Sequence, residues 1–158
     1  GAPLIQAEAG QVLAFDDGVY LEVLGPPARL LRGTASDVNN ASIVLKVVYG
    51  AIAFLMAGDT FATAEGVMAT AGPSLDGDVL KVAHHGSRTS SSAAFLEAVS
   101  PAVAVISMGR DNRFGHPHPE TIDALLRHVS PDMLFTTRDR GTIEFITDGE
   151  TLTLKTER

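Results

Sequence analysis

Cysteine is absent from the 158 residues. That removes disulfide frameworks and thiolate metal sites, so any metal must take its donors from His, Asp, Glu or Asn, while the redox compartment stays open. Long apolar runs are also missing, and no stretch approaches the roughly 20 residues that a membrane-spanning helix needs. The opening GAPLIQAEAGQ lacks a basic region followed by an apolar block, so it does not read as a secretion signal. Positive charge is scarce: 12 Lys and Arg stand against 19 Asp and Glu, for a net charge of −7. Such a balance argues against a surface that grips nucleic acid all over and leaves a local basic cleft as the route to a polyanion. Internal repeats, low-complexity tracts and linkers are lacking too. What remains is 45% hydrophobic and 20% charged, a globular mix long enough for one domain with a real core.

Hydrophobic patterning predicts an α/β order. QVLAF and VYLEVL read as short strands around a DDG turn, and a polar loop with a Pro pair follows. SIVLKVVYGAIAFLMAGD reads as two strands hinged at Tyr49 and Gly50. TFATAEGVMATAG predicts a helix with Thr60 as N-cap and Gly72 as stop. VLKVAHH is the next strand, TSSSAAFLEAVSP a helix opened by hydroxyl caps, AVAVIS a strand, and HPETIDALLRHVSP a helix with Pro119 in its first turn. MLFTT, GTIEFIT and TLTLK close the chain as strands, the last two joined by DGE.

The loops after these strands collect the unusual residues, which is where ligands sit in layered α/β folds. One carries Asp59, the next His84 and His85, the next Ser107 to His118, and the last Arg138, Asp139 and Arg140. Two adjacent histidines ending an apolar strand are costly unless hydrogen bonds or a metal occupy their nitrogens. Carboxylate and imidazole from adjacent strand ends suit a divalent cation, with Gly58 and Gly86 allowing close backbone approach. Each item also has a plain structural reading: Gly-Asp as a turn, His-His as a hydrogen-bonded pair, GHPHPE as a helix-initiating loop. Their order raises the functional reading.

That order is specific. NNASIVLKV, FLMAGD, DVLKVAHHGSRTSS, PAVAVISMGRDNRFGHPHPET and TTRDRGTIEF together resemble the C-terminal metallo-β-lactamase-like domain of the ComEC family of DNA-uptake proteins, from Gly18 onward. The resemblance implies an αββα sandwich, a divalent metal (Zn or Mn), and a hydrolase attached to a membrane channel that degrades the DNA strand not imported. It implies a domain of a bacterial inner-membrane protein. Asp59 matches the metal-bridging aspartate. His84 matches the late histidine ligand, with His85 touching the ligand shell or the substrate, and the choice between the two histidines stays open. The principal motif, His-x-His-x-Asp-His or His-x-Asp-x-Asp-His, is absent, and Asn39 or Asn40 stands near the place of a further histidine. Residues 1–158 are therefore expected to be a single partial domain, the C-terminal portion, which binds little metal and cleaves little alone.

For the complete domain, metal-bound water attacks the phosphodiester and His116 protonates the leaving oxygen. Arg88, Arg110, Arg113, Arg138 and Arg140, five of the twelve basic residues, fall in loops after strands. They read either as a phosphate-facing arginine cleft or as scattered solvated side chains. Ser87, Asn39, Asn40 and Asn112 join Arg88, Arg110 and Arg113 as substrate-binding candidates. Phe114 is the one loop aromatic able to stack on a base, so single-stranded DNA bound without sequence preference is the expected partner. Self-association through an apolar face left by the missing half is a further expectation. Two other classes stay open: a metallo-hydrolase of a small phosphoester, and a non-catalytic domain that holds DNA.

Overall fold

The computed structural model describes residue 4 and residues 6–71 and 74–158. Nine strands and four α-helices follow one another: β1 (Val12–Ala14), β2 (Val19–Gly25), β3 (Val44–Tyr49), β4 (Ile52–Met56), α1 (Ala62–Ala71), β5 (Val79–Lys81), α2 (Ala93–Val99), β6 (Val103–Ile106), α3 (Pro119–Leu125), β7 (Leu134–Thr136), α4 (Thr137–Arg140), β8 (Ile143–Thr147) and β9 (Leu152–Thr156). Strands β1 to β7 form one sheet in sequence order, and β8 pairs only with β9. β1 to β4 are antiparallel neighbours, with short turns joining β1 to β2 and β3 to β4 and a long loop joining β2 to β3, whereas β4 to β7 are parallel because crossovers containing α1, α2 and α3 separate them.

Alternation along the strands decides the layers. Leu55, Leu80, Ala104 and Ile106 face the helices and pack with Met68 of α1, Phe95, Leu96 and Val99 of α2, and Leu125 of α3. Phe54, Val79, Val103, Val105 and Phe135 point the other way and meet Ile143, Phe145, Leu152 and Leu154 of the β8–β9 hairpin. Each large side chain fully buried on the helix side contributes about 1.5–3 kcal/mol, and the partly buried ones under the hairpin contribute less. The result is helices, a seven-stranded sheet, then a two-stranded layer. The expected second helical layer is not present among the described residues, and the outer face of the hairpin, with Glu144, Ile146, Thr153 and Lys155, is exposed.

Four local expectations change. β5 ends at Lys81, and residues Ala83–Gly86 form a turn instead of extending the strand to His85. The helix predicted over 118–131 is regular only at Pro119–Leu125. Arg138 to Arg140 lie in α4 rather than a loop. Thr60 is not the cap of α1: the helix begins at Ala62, and its free amides are taken by the Thr89 carbonyl (to Ala62 N, 2.9 Å) and the Asn40 side chain (to Ala64 N, 3.2 Å). The predicted stop at Gly72 lies outside the described residues.

Candidate functional site

Because β4, β5, β6 and β7 run parallel, the segments that leave them emerge at one sheet edge. Backbone bonds hold the first two together. His84 N donates to Gly58 O at 3.0 Å, and Ser90 Oγ to Thr60 O at 2.6 Å. Asp59 and the two histidines are thereby fixed relative to one another although 25 residues separate them. Gly58 has φ +58°, and an added Cβ would lie 3.0 Å from the Ile43 carbonyl, so only glycine suits the turn that presents Asp59.

His84 and His85 are both left-handed, at φ 48° and 56°. Consecutive non-glycine residues in this region cost about 1–3 kcal/mol each, a strain that surrounding contacts must offset. The conformation turns the chain back on itself. His85 then reaches Ser107 O through Nδ1 (2.7 Å) and Asp59 Oδ1 through Nε2 (3.5 Å). A carbonyl accepts only, so Nδ1 carries a proton, and Nε2 faces the carboxylate with a place for a cation or a proton between them. His84 turns elsewhere: Nδ1 meets Thr89 Oγ1 at 3.2 Å and its ring stacks on Phe61 at 5.1 Å. Geometry thus brings His85, rather than His84, to Asp59.

The loop from Ser107 to His118 overhangs this pair. Asn112 braces it, accepting from His116 N (2.9 Å) and donating to His116 O (2.8 Å) and Gly109 O (3.3 Å). His116 lies edge-on to His84 (5.6 Å) and His118 (4.9 Å), and Phe114 stacks on it at 5.7 Å. Burial first, then the neighbouring imidazoles, holds the His116 pKa below its ordinary value, so the ring is neutral near pH 7. An added Cβ at Gly86 (φ +80°) would sit 2.7 Å from Pro117 Cβ, so the two loops approach closely only through glycine.

The remaining predicted residues divide. Asn40 is 2% exposed and spends its amide on Ala64 N and Thr34 Oγ1, so it braces the loop against α1 instead of facing solvent. Asn39 beside it is half-buried, and Ser87 is buried with its hydroxyl on Thr89 Oγ1 at 3.0 Å. Arg88 is exposed and shares its charge with Glu120 at 3.6 Å. Arg138 is paired with Asp139, whose pKa falls to about 2 under the Arg138 and Thr136 hydrogen bonds, and Arg140 lies over the Phe135 ring. Arg110 and Arg113 are exposed and form no ion pair among the described residues. Two contributors were not singled out from sequence. Lys81, at the end of β5, is half-buried; desolvation lowers its pKa against the pull of Asp59. A lysine ending an apolar strand was a readable signal. Thr137 Oγ1 accepts from Met108 N (2.8 Å) and donates to Met108 O (2.9 Å), a long-range tie with no signal in sequence.

Asp59 and His85 are two donors. Among the described residues no group of three or more His, Cys, Asp or Glu side chains is placed to hold a metal ion. The residues present therefore do not by themselves fit a divalent metal, which needs four or more ligands.

Fold and edge define a mixed α/β protein whose carboxylate, imidazoles and unpaired arginines gather where parallel strands end. The chain belongs to the ComEC family of competence proteins, as a segment homologous to a small part of each relative. It is 32% identical to ComE operon protein 3 of Bacillus subtilis over 145 residues, 92% of this chain and 18% of that protein. It is 44% identical to competence protein ComA of Neisseria gonorrhoeae over 102 residues, covering 64% of this chain and 14% of that one. Recombination protein 2 of Haemophilus influenzae is 36% identical over 113 residues, covering 72% and 14%. No family model and no solved structure matches the chain. No helix among the described residues is long and apolar enough to cross a membrane.

Proposed function

We propose that residues 1–158 are a partial metallo-β-lactamase-like domain serving phosphodiester hydrolysis of DNA within a DNA-uptake protein, next to that protein's membrane-channel portion. The observation that carries the reading is the Asp59–His85 pair, with the imidazole oriented by Ser107 O. A histidine held this way takes a proton from an attacking water at Nε2, and Asp59 stabilises the imidazolium that results. His116, neutral on the overhanging loop, gives the leaving oxygen a hydrogen bond rather than the proton expected from sequence, and that oxygen takes its proton from solvent. Arg110 and Arg113 orient the strand by its phosphates, while Arg88 reaches it only by leaving Glu120. Ser87, Asn40 and Asn112 act through the shape of the loops they brace, and Asn39 stays a candidate contact. Zn or Mn dependence requires donors that the described residues do not gather, so the chain alone is expected to be inactive.

A non-catalytic DNA-holding role is the second reading, favoured by the lack of a three-donor cluster among the described residues. A longer chain carrying the His-x-Asp-x-Asp-His motif separates the two. With labelled single-stranded DNA it is expected to cleave, and Asp59→Ala and His85→Ala to lower the rate by about a hundredfold or more. Cleavage at the parent rate in Asp59→Ala would overturn the hydrolytic reading. A small chromogenic diester cleaved far faster than DNA would move the assignment to a general phosphoesterase.

A further inference from the structure

We propose that the cleft beside His85 is a subsite for one unpaired nucleobase, held by stacking and indifferent to base identity. The inference rests on the DNA reading above and adds a ligand feature to it. The cleft has a volume of about 280 Å³. That lies just under the roughly 300–1,000 Å³ of pockets for drug-sized ligands, which suits one planar ring system better than a whole nucleotide. Met108 and Gly109 line one part, the stacked rings of Phe114 and His116 another, and His85 joins it to the Asp59 pair.

Two features point to a stacked base. First, Phe114 is 76% exposed yet stands in an ordered stack on His116, 25° from parallel. An aromatic held out into solvent beside a phosphate-facing edge is a platform for another ring. Second, the polar groups around it are already engaged. The Asn112 amide is spent on Gly109 and His116, the Ser107 carbonyl on His85, and the Met108 amide and carbonyl on Thr137. Apart from the Ser107 hydroxyl and ring nitrogens of His85 and His116, the side-chain lining is apolar surface and π-faces, which every base satisfies equally. A base inside a duplex is stacked on both faces and cannot enter. Arg110 and Arg113, with Asp111 between them, precede Phe114 in the same loop and supply net positive charge for the neighbouring phosphates.

Fluorescence anisotropy with the 158-residue chain tests this, using labelled 12-mers of thymidine, of deoxyadenosine and of abasic sugar phosphate, and a 12-base-pair duplex. Thymidine and deoxyadenosine strands are expected to bind within threefold of each other, and about tenfold tighter than the abasic strand, the scale of one stacked base. Phe114→Ala should collapse that difference and Phe114→Trp restore it, while thermal melting of both variants stays at the parent value because the ring is exposed. Equal affinity for base-bearing and abasic strands, or a difference that survives Phe114→Ala, overturns the subsite and leaves the DNA reading standing. Duplex binding as tight as single-strand binding overturns the requirement for an unpaired base. Binding of none of the strands overturns the DNA reading and the subsite together.

Discussion

At the scale of single residues the site is set by backbone strain. His84 and His85 are neighbours in sequence but point to different partners, His84 to Thr89 and Phe61, His85 to Asp59 and Ser107. The left-handed backbone at both produces that divergence. It also sets an unusual stability order. At a left-handed position alanine pays about 1–2 kcal/mol that glycine does not. His84→Gly is expected to be more stable than His84→Ala by about 1 kcal/mol, although both lose the same ring, with urea denaturation as the measurement. An ordinary order, alanine above glycine, would show that the turn relaxes when the ring is removed.

At the scale of elements, helices α1 and α2 share one carboxylate. Glu65 of α1 is fully buried, and its two oxygens accept from Ser91 N at 2.6 Å and Ser92 N at 2.7 Å, at the start of α2. Burial raises its pKa, while these two amide bonds pull the other way. The hydroxyls read from sequence as caps do not serve that purpose, since Ser92 makes no side-chain capping bond and a residue 27 positions away takes the role. The loop carrying His84 and His85 runs between the Gly58 contact and this anchor. Glu65→Ala leaves two amides unpaired in the interior and is predicted to cost about 2–5 kcal/mol in equilibrium denaturation. Loss of less than 1 kcal/mol would mean that water or a neighbour replaces the carboxylate. Glu65→Gln keeps one acceptor and is expected to fall between the two.

Across the whole molecule, an acidic body carries two arginines without an ion pair among the described residues, Arg110 and Arg113, at the edge where the parallel strands end. The net charge is −7, and of the five arginines in the edge segments three are engaged by Glu120, Asp139 or Phe135. The cleft anticipated from sequence is thus narrower, resting on Arg110 and Arg113. Single-stranded DNA binding is expected to weaken with salt, and Arg110→Ala or Arg113→Ala each to lower the log–log slope by about 0.7, the share of one phosphate contact. A slope unchanged in both variants would place the phosphates elsewhere. The sheet face under the hairpin continues past it. Leu13, Leu21, Val47 and Phe54 form one cross-strand row; Phe54 packs on Phe145, whereas Leu13 at the far end is 42% exposed.

Element order, the strand-helix alternation and the convergence of the segments carrying Asp59, His84, His85 and residues 107–118 were legible in sequence. Apolar periodicity and Gly or Pro punctuation are local properties, and strands joined through helices must run parallel. The partners of those residues were not legible. Whether His84 or His85 meets Asp59 depends on two backbone angles that several hydrogen bonds impose together. Asn40 became a brace because the loop before β3 folds onto the start of α1, and Thr137 a clamp because β7 brings it beside Met108. Contacts between residues about 25–30 positions apart leave no periodic trace in the chain, because only packing decides which polar groups lose water and must find one another.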